Sequence, residues 1–393
     1  MRLVVFSHKL CWPSDESASG YVTDGGFPFQ MQAVSELFSE TTLVVPCAAA
    51  PNQVGVTPLT GYNLSVAPLT AVSGSGLKRK LKFPLWLARN CGTLLREIRR
   101  ADAVHTPIPG DVGTIGMLMA FIMRKPLFVR HCGNWLAPKT IAEKFWKWFM
   151  VKFAGGRNVM LATGGSLEPP TPLNANVKWI FSTSLTEEEL RICETRRSYD
   201  PKKGARLVIA CRQEKEKGTG RVIESLPLIL EKIPNTTLDV IGDGGALADF
   251  KQLAARMNLS DSITFHGKLN HPSVISILQQ ADLFCYPTSA SEGFPKAVLE
   301  ALACGLPVVT TRVSVLPQLI NQGCGALLQD LSPQTIAQSV CGVLSDAERY
   351  QEMSGMAIET ARQYSLERWR DYIGEQLRAG WEQESGECLI LRS

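Results

Sequence analysis

No two of the eleven cysteines form a Cys-x2-Cys pair. Their scatter lacks metal-ligand spacing, and several sit inside apolar runs, as Cys211 and Cys285 do. This pattern implies free thiols in a reducing compartment and argues against a disulfide framework. Long apolar runs are also missing. Ile115–Met123 is the longest, well short of a bilayer span. Leu3–Phe6 is too brief for the apolar core of a secretion signal and is followed at once by His8 and Lys9, so a cytoplasmic chain is expected. The net charge is only +4, with no run of basic residues and interleaved aromatics of an RNA-binding type, so nucleic acid is not an expected partner.

The residues that are present read as α/β. A chain of 393 residues, 45% hydrophobic and 20% charged, suits two domains with full cores. Arg2–Phe6 is an apolar strand that opens a parallel sheet. A polar loop through Ser14–Thr23 leads to Asp24-Gly25-Gly26, and Phe27–Phe38 reads as a helix. A glycine pair between first strand and first helix lets backbone approach a ligand closely. It is not a Gly-x-Gly-x-x-Gly fingerprint, so no dinucleotide site is indicated.

Thr42–Val45, Ala103-Val104 and Pro126–Val129 read as further strands, with a helix across Gly113–Met123. The last of these strands runs into Arg130-His131. Ligands of open α/β sheets bind beyond the carboxyl ends of strands, which makes His131 a candidate. His105 ends the preceding strand and is read as structural. Beyond a linker near Asn174–Ser184, a second series begins with Leu207–Ala210, Leu238–Ile241, Ile263–Phe265 and Asp282–Tyr286. Strand, loop and helix alternate as in a doubly wound domain.

Ser291–Thr311 organises the second half. Glu292 and Glu300 stand eight positions apart, with a turn at Gly293-Phe294-Pro295 between them. Lys296 to Ala303 reads as a helix with Pro295 in its first turn, ended by Gly305 and Pro307. A helix start of this kind binds anions through its unpaired N–H groups. Carboxylates beside it repel a bare phosphate but suit hydroxyls attached to one.

The whole stretch resembles the signature of retaining GT-B glycosyltransferases, in particular glycosyltransferase family 4, the group 1 glycosyl transferases. Glu292, Gly293, Phe294, Glu300, Ala301, Ala303, Gly305, Pro307, Val308 and Val309 all fall in the family's pattern. The resemblance implies two Rossmann-like domains facing a deep cleft, at residues 1–178 for the acceptor and 179–362 for the donor. Residues 363–393 would hold a helix returning to the first domain, and the tail. Glu292 would contact the donor sugar and Glu300 the ribose hydroxyls. His131 would lie against the donor sugar. Arg212 and Lys217 match the family's Arg and Lys spacing, and with Phe294, Pro295 and Lys296 would border the donor phosphates. Gly25, Gly26 and Gly293 would line the donor and acceptor cleft, and Gly267 and Lys268 would border the nucleobase. Lys296 departs from the family, which often has a small or apolar residue there, and the glycine loop is less glycine-rich than usual.

The chain contains no Asp-x-Asp, the pair that commonly bridges a divalent metal to a diphosphate. Arg212, Lys217 and the helix start at Lys296 would then neutralise the leaving group. The expectation is a metal-independent retaining glycosyltransferase with no cofactor, using a nucleoside-diphosphate sugar, UDP-linked first and GDP-linked second. The acceptor would be a hydroxyl of a glycan or lipid-linked molecule, in surface polysaccharide or glycoconjugate assembly. The family resemblance implies front-face attack assisted by the leaving phosphate. Two rival readings are an epimerase of UDP-N-acetylglucosamine with the same fold and a non-catalytic nucleotide-sugar-binding protein. Two segments, Leu77–Arg100 and Glu143–Ala154, mix basic and aromatic residues suited to an anionic membrane surface at the inner face of the membrane. Against that reading stands an ordinary helix packed on a sheet with its lysines solvated.

Overall fold

The computed structural model describes residues 1–49, 56–71, 76–166, 168–195, 197–200, 202–291 and 293–385, with side chains for all of these except 76–81 and 382–385. It divides into two compact units, Met1–Ser184 with Leu366–Ser393, and Leu185–Ser365.

The first unit opens with β1 (Arg2–Phe6), β2 (Trp12–Pro13), β3 (Tyr21–Asp24), α1 (Phe27–Ser35) and β4 (Glu40–Cys47). It continues through β5 (Val56–Pro58), β6 (Leu64–Thr70), α2 (Gly76–Arg100), β7 (Ala103–Ile108), α3 (Asp111–Ile122), β8 (Leu127–His131), α4 (Ile141–Phe153), β9 (Asn158–Thr163) and β10 (Val177–Ile180). Seven strands form a parallel sheet in the order β10-β9-β8-β7-β1-β4-β6. Strand residues alternate between its two faces. On one face Val4, Val104, Val129 and Met160 pack with Trp135, Trp146 and Phe149. On the other, Leu3, Val5, Phe128 and Leu161 pack with Met31, Val34 and Phe38.

The polar stretch after β1 is not one open loop. β2 and β3 pair antiparallel, and β3 pairs with β5, so a small second sheet precedes the glycine pair. His105 lies inside β7 rather than at its end, because the strand runs on to Ile108. Its ring is fully buried and stacked on Phe128, with Nδ1 3.0 Å from the Phe128 carbonyl oxygen.

The second unit contains α5 (Glu187–Cys193), β11 (Arg206–Ala210), α6 (Thr219–Leu230), β12 (Thr237–Ile241), α7 (Leu247–Arg256), β13 (Ile263–Gly267), α8 (His271–Leu278) and β14 (Leu283–Tyr286). Then follow α9 (Lys296–Ala303), β15 (Val308–Thr310), α10 (Leu316–Ile320), β16 (Gly325–Leu327), α11 (Pro333–Leu344) and α12 (Ala347–Ala361). Its six strands run parallel in the order β13-β12-β11-β14-β15-β16. The central strands are apolar on both faces, as helices on both sides require, and Leu207, Val208, Ile209, Leu283 and Phe284 are fully buried. A buried guanidinium ties the ends of two helices together. Arg197 donates from Nε to Cys304 O at 2.7 Å and from Nη2 to Leu278 O at 2.9 Å.

The chain then returns to the first unit as α13 (Leu366–Ser385). Trp369, Ile373, Leu377 and Trp381 recur at helical spacing and join the cluster around Phe38. Trp381 Nε1 donates to Arg157 O at 3.0 Å, and Arg370 pairs with Glu36.

Candidate active site

In the second unit the strand order reverses between β11 and β14. Ligands of doubly wound sheets bind beyond the carboxyl ends of the strands at such a reversal. Three loops meet there. After β11 come Arg212, which is exposed, and Lys217, which is half-buried. Between them Gln213 is fully buried. Its Nε2 donates to the Cys211 carbonyl at 3.1 Å and the Ile241 carbonyl at 2.9 Å, and its Oε1 accepts from the Thr219 hydroxyl at 2.7 Å. Lys215–Lys217 is a single 3-10 turn closed by Gly218 at φ 98°. A Cβ there would lie 2.4 Å from the Pro287 carbonyl oxygen, so only glycine lets this loop press against the next one.

The loop after β14 is tied to the first. Ser289 N–H donates to Glu216 O at 2.8 Å, and the Thr288 hydroxyl donates to the same oxygen at 3.2 Å. The loop after β12 docks on both. Gly242 has φ 114°, and a Cβ there would stand 1.9 Å from Cys211 O. Ala246 N–H donates to Gln213 O at 2.9 Å. The loop that carries Arg212 and Lys217, the loop after β12, and Thr288 and Ser289 of the loop after β14 therefore belong to one hydrogen-bonded group.

Glu292 lies outside the described residues. Phe294 packs its buried ring on Tyr364, with ring centroids 5.4 Å apart. The ring is core, so any contact with a phosphate would fall to the backbone. Pro295 is the N-cap of α9 rather than part of its first turn, with ψ 95°, and makes no side-chain capping bond. Helical N–H groups therefore begin at Lys296. Glu300 stands one turn further on, with its side chain 14% exposed. Burial raises its pKa above the usual carboxylate range, His271 and Lys296 oppose that, and Glu189 adds to it. His271 Nδ1 is 3.6 Å from Glu300 Oε1. Gly267 ends β13 and accepts from Gly242 N–H at 2.8 Å, with Lys268 exposed just beyond. These base candidates share the carboxyl edge of the sheet but stand two strands away from β11.

The first unit holds the other candidates. His131 is the last residue of β8 and is buried beside Trp135, with ring centroids 5.4 Å apart at 79°. Burial pulls its pKa down to about 4. Glu143 partly offsets that, and Lys147 reinforces it. The imidazole is therefore neutral at physiological pH, and its Nδ1 has no hydrogen-bond partner among the described residues. Lys147 donates to Trp135 O at 3.0 Å and lies over the indole ring. Gly25 and Gly26 join β3 to α1, with Gly26 as its N-cap. Lys9 pairs with Asp24 and stands next to Gly25.

Sequence reasoning passed over Gln213, His271 and Lys9. Gln213 reads as one polar residue in a charged loop. His271 reads as an ordinary helix start, and Lys9 as a solvated lysine. Each gains its meaning from a partner that is not its sequence neighbour.

Residues 194–360 match the family described as glycosyl transferases group 1. This stretch is a group 1 glycosyl transferase domain. The group 1 domain occupies almost all of the second unit, and the three loops described above are its own. A D-inositol 3-phosphate glycosyltransferase of Corynebacterium urealyticum is 29% identical over 43% of this chain and 41% of its own length. A GDP-mannose-dependent alpha-(1-6)-phosphatidylinositol monomannoside mannosyltransferase of Mycolicibacterium smegmatis is 27% identical over 42% of this chain and 45% of its own. The chain thus spans less than half the length of these curated relatives. Among solved structures, Anabaena HepE in complex with UDP aligns over 96% of this chain and 100% of its own, with a TM-score of 0.68 and 16% identity. WaaG, a glycosyltransferase involved in lipopolysaccharide biosynthesis, aligns with a TM-score of 0.59 over 96% of this chain and 100% of its own, also at 16% identity. At that identity the likeness shows the fold, which is GT-B with two Rossmann-like units.

Proposed function

We propose that the protein is a metal-independent, retaining glycosyltransferase that moves a sugar from a nucleoside-diphosphate sugar to a hydroxyl of a glycan or lipid-linked acceptor. The observation that carries this reading is the group 1 domain's strand reversal. Arg212, Lys217, the N-terminus of α9 and the buried Glu300 all stand on the loops and helix beyond β11 and β14. A leaving nucleoside diphosphate gains negative charge as its bond to the sugar breaks, and fixed cations and helix N–H groups stabilise that charge. Glu300 accepts hydroxyls of the ribose. His131, neutral by burial, contributes a hydrogen-bonding ring to the donor sugar rather than a cation.

The names of relatives support both parts of the donor and acceptor reading. GDP-mannose is named for two, and UDP-N-acetylglucosamine for a peptide N-acetylglucosaminyltransferase subunit of Streptococcus parasanguinis. Phosphatidylinositol appears in the names of several. We assign a UDP-sugar first and a GDP-sugar second, with surface polysaccharide or glycoconjugate assembly as the setting.

An anionic membrane surface is proposed as the partner of α4. Ile141, Lys144, Trp148 and Lys152 are exposed and share one helical face, while Trp146, Phe149 and Met150 face the core. No described helix is long and apolar enough to cross a membrane. An interfacial helix needs only such a mixed face.

The test is ligand-observed NMR with UDP-, GDP- and ADP-sugars in metal-free buffer, on the wild type and Glu300→Ala. One donor should bind, and the variant should weaken it by about 2–5 kcal/mol, as loss of a buried charged hydrogen bond does. Equal binding by the variant, or no binding by any donor, would overturn the reading.

A further inference from the structure

Glu300 is a nearly buried carboxylate, and the groups around it come from three elements. Lys296 lies one turn earlier on α9 and attracts it. Glu189 on α5 repels it, although its Oε2 is engaged in accepting the Thr186 N–H of its own capping box at 2.8 Å. His271 comes from α8, and its Nδ1 stands 3.6 Å from Glu300 Oε1. That separation is a close polar contact, longer than a hydrogen bond. His271 is held in place by its own helix start, where the side chain of Asn270 accepts from Ser273 N–H at 3.0 Å. The His271 side chain is 36% exposed, so the contact has an open side.

A carboxylate that must accept two sugar hydroxyls needs a defined plane. Glutamate has three side-chain torsions, and a carboxylate oriented by nothing loses that freedom only when the ligand arrives. The planar imidazole beside Oε1 settles the plane beforehand, and its influence on Glu300 opposes that of burial. Lys296 alone does not do this, because a flexible ammonium on the same helix fixes charge but not direction.

We propose that His271 is a positioning residue for nucleotide recognition. It holds Oε1 of Glu300 so that the carboxylate faces the ribose, and thereby sets the preference for ribonucleotide donors over those lacking ribose hydroxyls. This rests on the reading that Glu300 accepts those hydroxyls.

The experiment measures Kd for UDP, GDP and ADP and for the 2′,3′-dideoxy form of each, on the wild type, Glu300→Ala, His271→Ala and His271→Gln. For the diphosphate that binds, the wild type should prefer the ribose form by roughly thirtyfold, as two charge-assisted hydroxyl contacts imply. Glu300→Ala should abolish the preference. His271→Ala should reduce it by roughly fivefold, weakening the ribose form alone, and His271→Gln, which keeps a planar N–H donor, should restore most of it. If Glu300→Ala collapses the preference while His271→Ala leaves it intact, the positioning role is wrong and the Glu300 reading survives. Equal weakening of both nucleotide forms by His271→Ala marks a merely structural residue and also overturns the role. If Glu300→Ala keeps the preference, or no diphosphate binds, the Glu300 reading fails and the inference falls with it.

Discussion

The hydroxyl of Thr219, the first residue of α6, donates to Oε1 of Gln213 at 2.7 Å, and both residues are fully buried. This bond sets the Gln213 amide so that its nitrogen meets the Cys211 and Ile241 carbonyls. The loop bearing Arg212 and Lys217 is built on that amide. Gln213→Leu keeps the volume and removes all three bonds. It should lower stability by about 2 kcal/mol in urea unfolding, because buried polar groups are left short of partners. It should also weaken nucleotide binding. Thr219→Val should do the same to a smaller degree. The double variant should lose less than the two singles together, since they share one bond.

Glu300→Gln should stabilise the protein at neutral pH while weakening donor binding. Burial raises the carboxyl above its ordinary value of 4.5 in the folded state. For a raised acid, the stabilising contribution is present below the unfolded value and is lost as pH rises through the folded one. At pH 7 the wild type therefore carries a disfavoured buried charge that glutamine lacks. Thermal melts should place the variant above the wild type at pH 7, with the gap closing toward pH 4. An unchanged or inverted gap would show that His271 and Lys296 fully offset the burial.

Acid should unfold the first unit through two histidines. Burial lowers His105 to about 3 and His131 to about 4, from an ordinary 6.5. For a lowered base, stability is present above the unfolded value and is lost as pH falls toward the folded one. Near pH 5 the unfolded chain binds almost two more protons than the folded chain. These groups alone then give a slope of about 2.7 kcal/mol per pH unit. His131→Gln should remove about half of that slope, and His105→Phe a similar share, read from urea midpoints between pH 4.5 and 6.

Binding to vesicles should depend on the exposed face of α4. Trp148→Glu, or Lys144→Glu with Lys152→Glu, should reduce co-sedimentation with vesicles containing phosphatidylglycerol by about tenfold and leave phosphatidylcholine vesicles as the weak control. Each basic residue near an anionic surface contributes about 1 kcal/mol. None of these side chains is buried, so the fold should be unaffected. Equal sedimentation of wild type and variants would remove α4 as a membrane contact.

Much of the fold is legible along the chain. Short apolar strands followed by glycine-bearing loops and helices can only close as parallel sheets covered on both sides. The helix at Lys296–Ala303 appears where its spacing, its proline and its glycine place it. Arg212 and Lys217 lie just beyond a strand that the alternation implies, because a loop after a buried strand must emerge at the sheet's carboxyl edge, and Glu300 lies one turn into the helix that follows such a loop. Other features could not be read. Residues Trp12–Pro13 and Tyr21–Asp24 pair into a small sheet only because the chain folds back on itself. Phe294 follows the signature but turns its ring into the core against Tyr364, seventy positions later.

The sequence by itself determined the two doubly wound units and the loops that carry the charged candidates, since periodicity and turn residues act between near neighbours. Only the tertiary structure decided which of those candidates are buried, neutral or held. Gln213 becomes a strut when Thr219 and Ile241 close around it, His131 loses its charge under Trp135, and Glu300 gains His271 from another helix. Burial and pairing depend on distances between residues far apart in the chain, and such distances exist only once the backbone has folded.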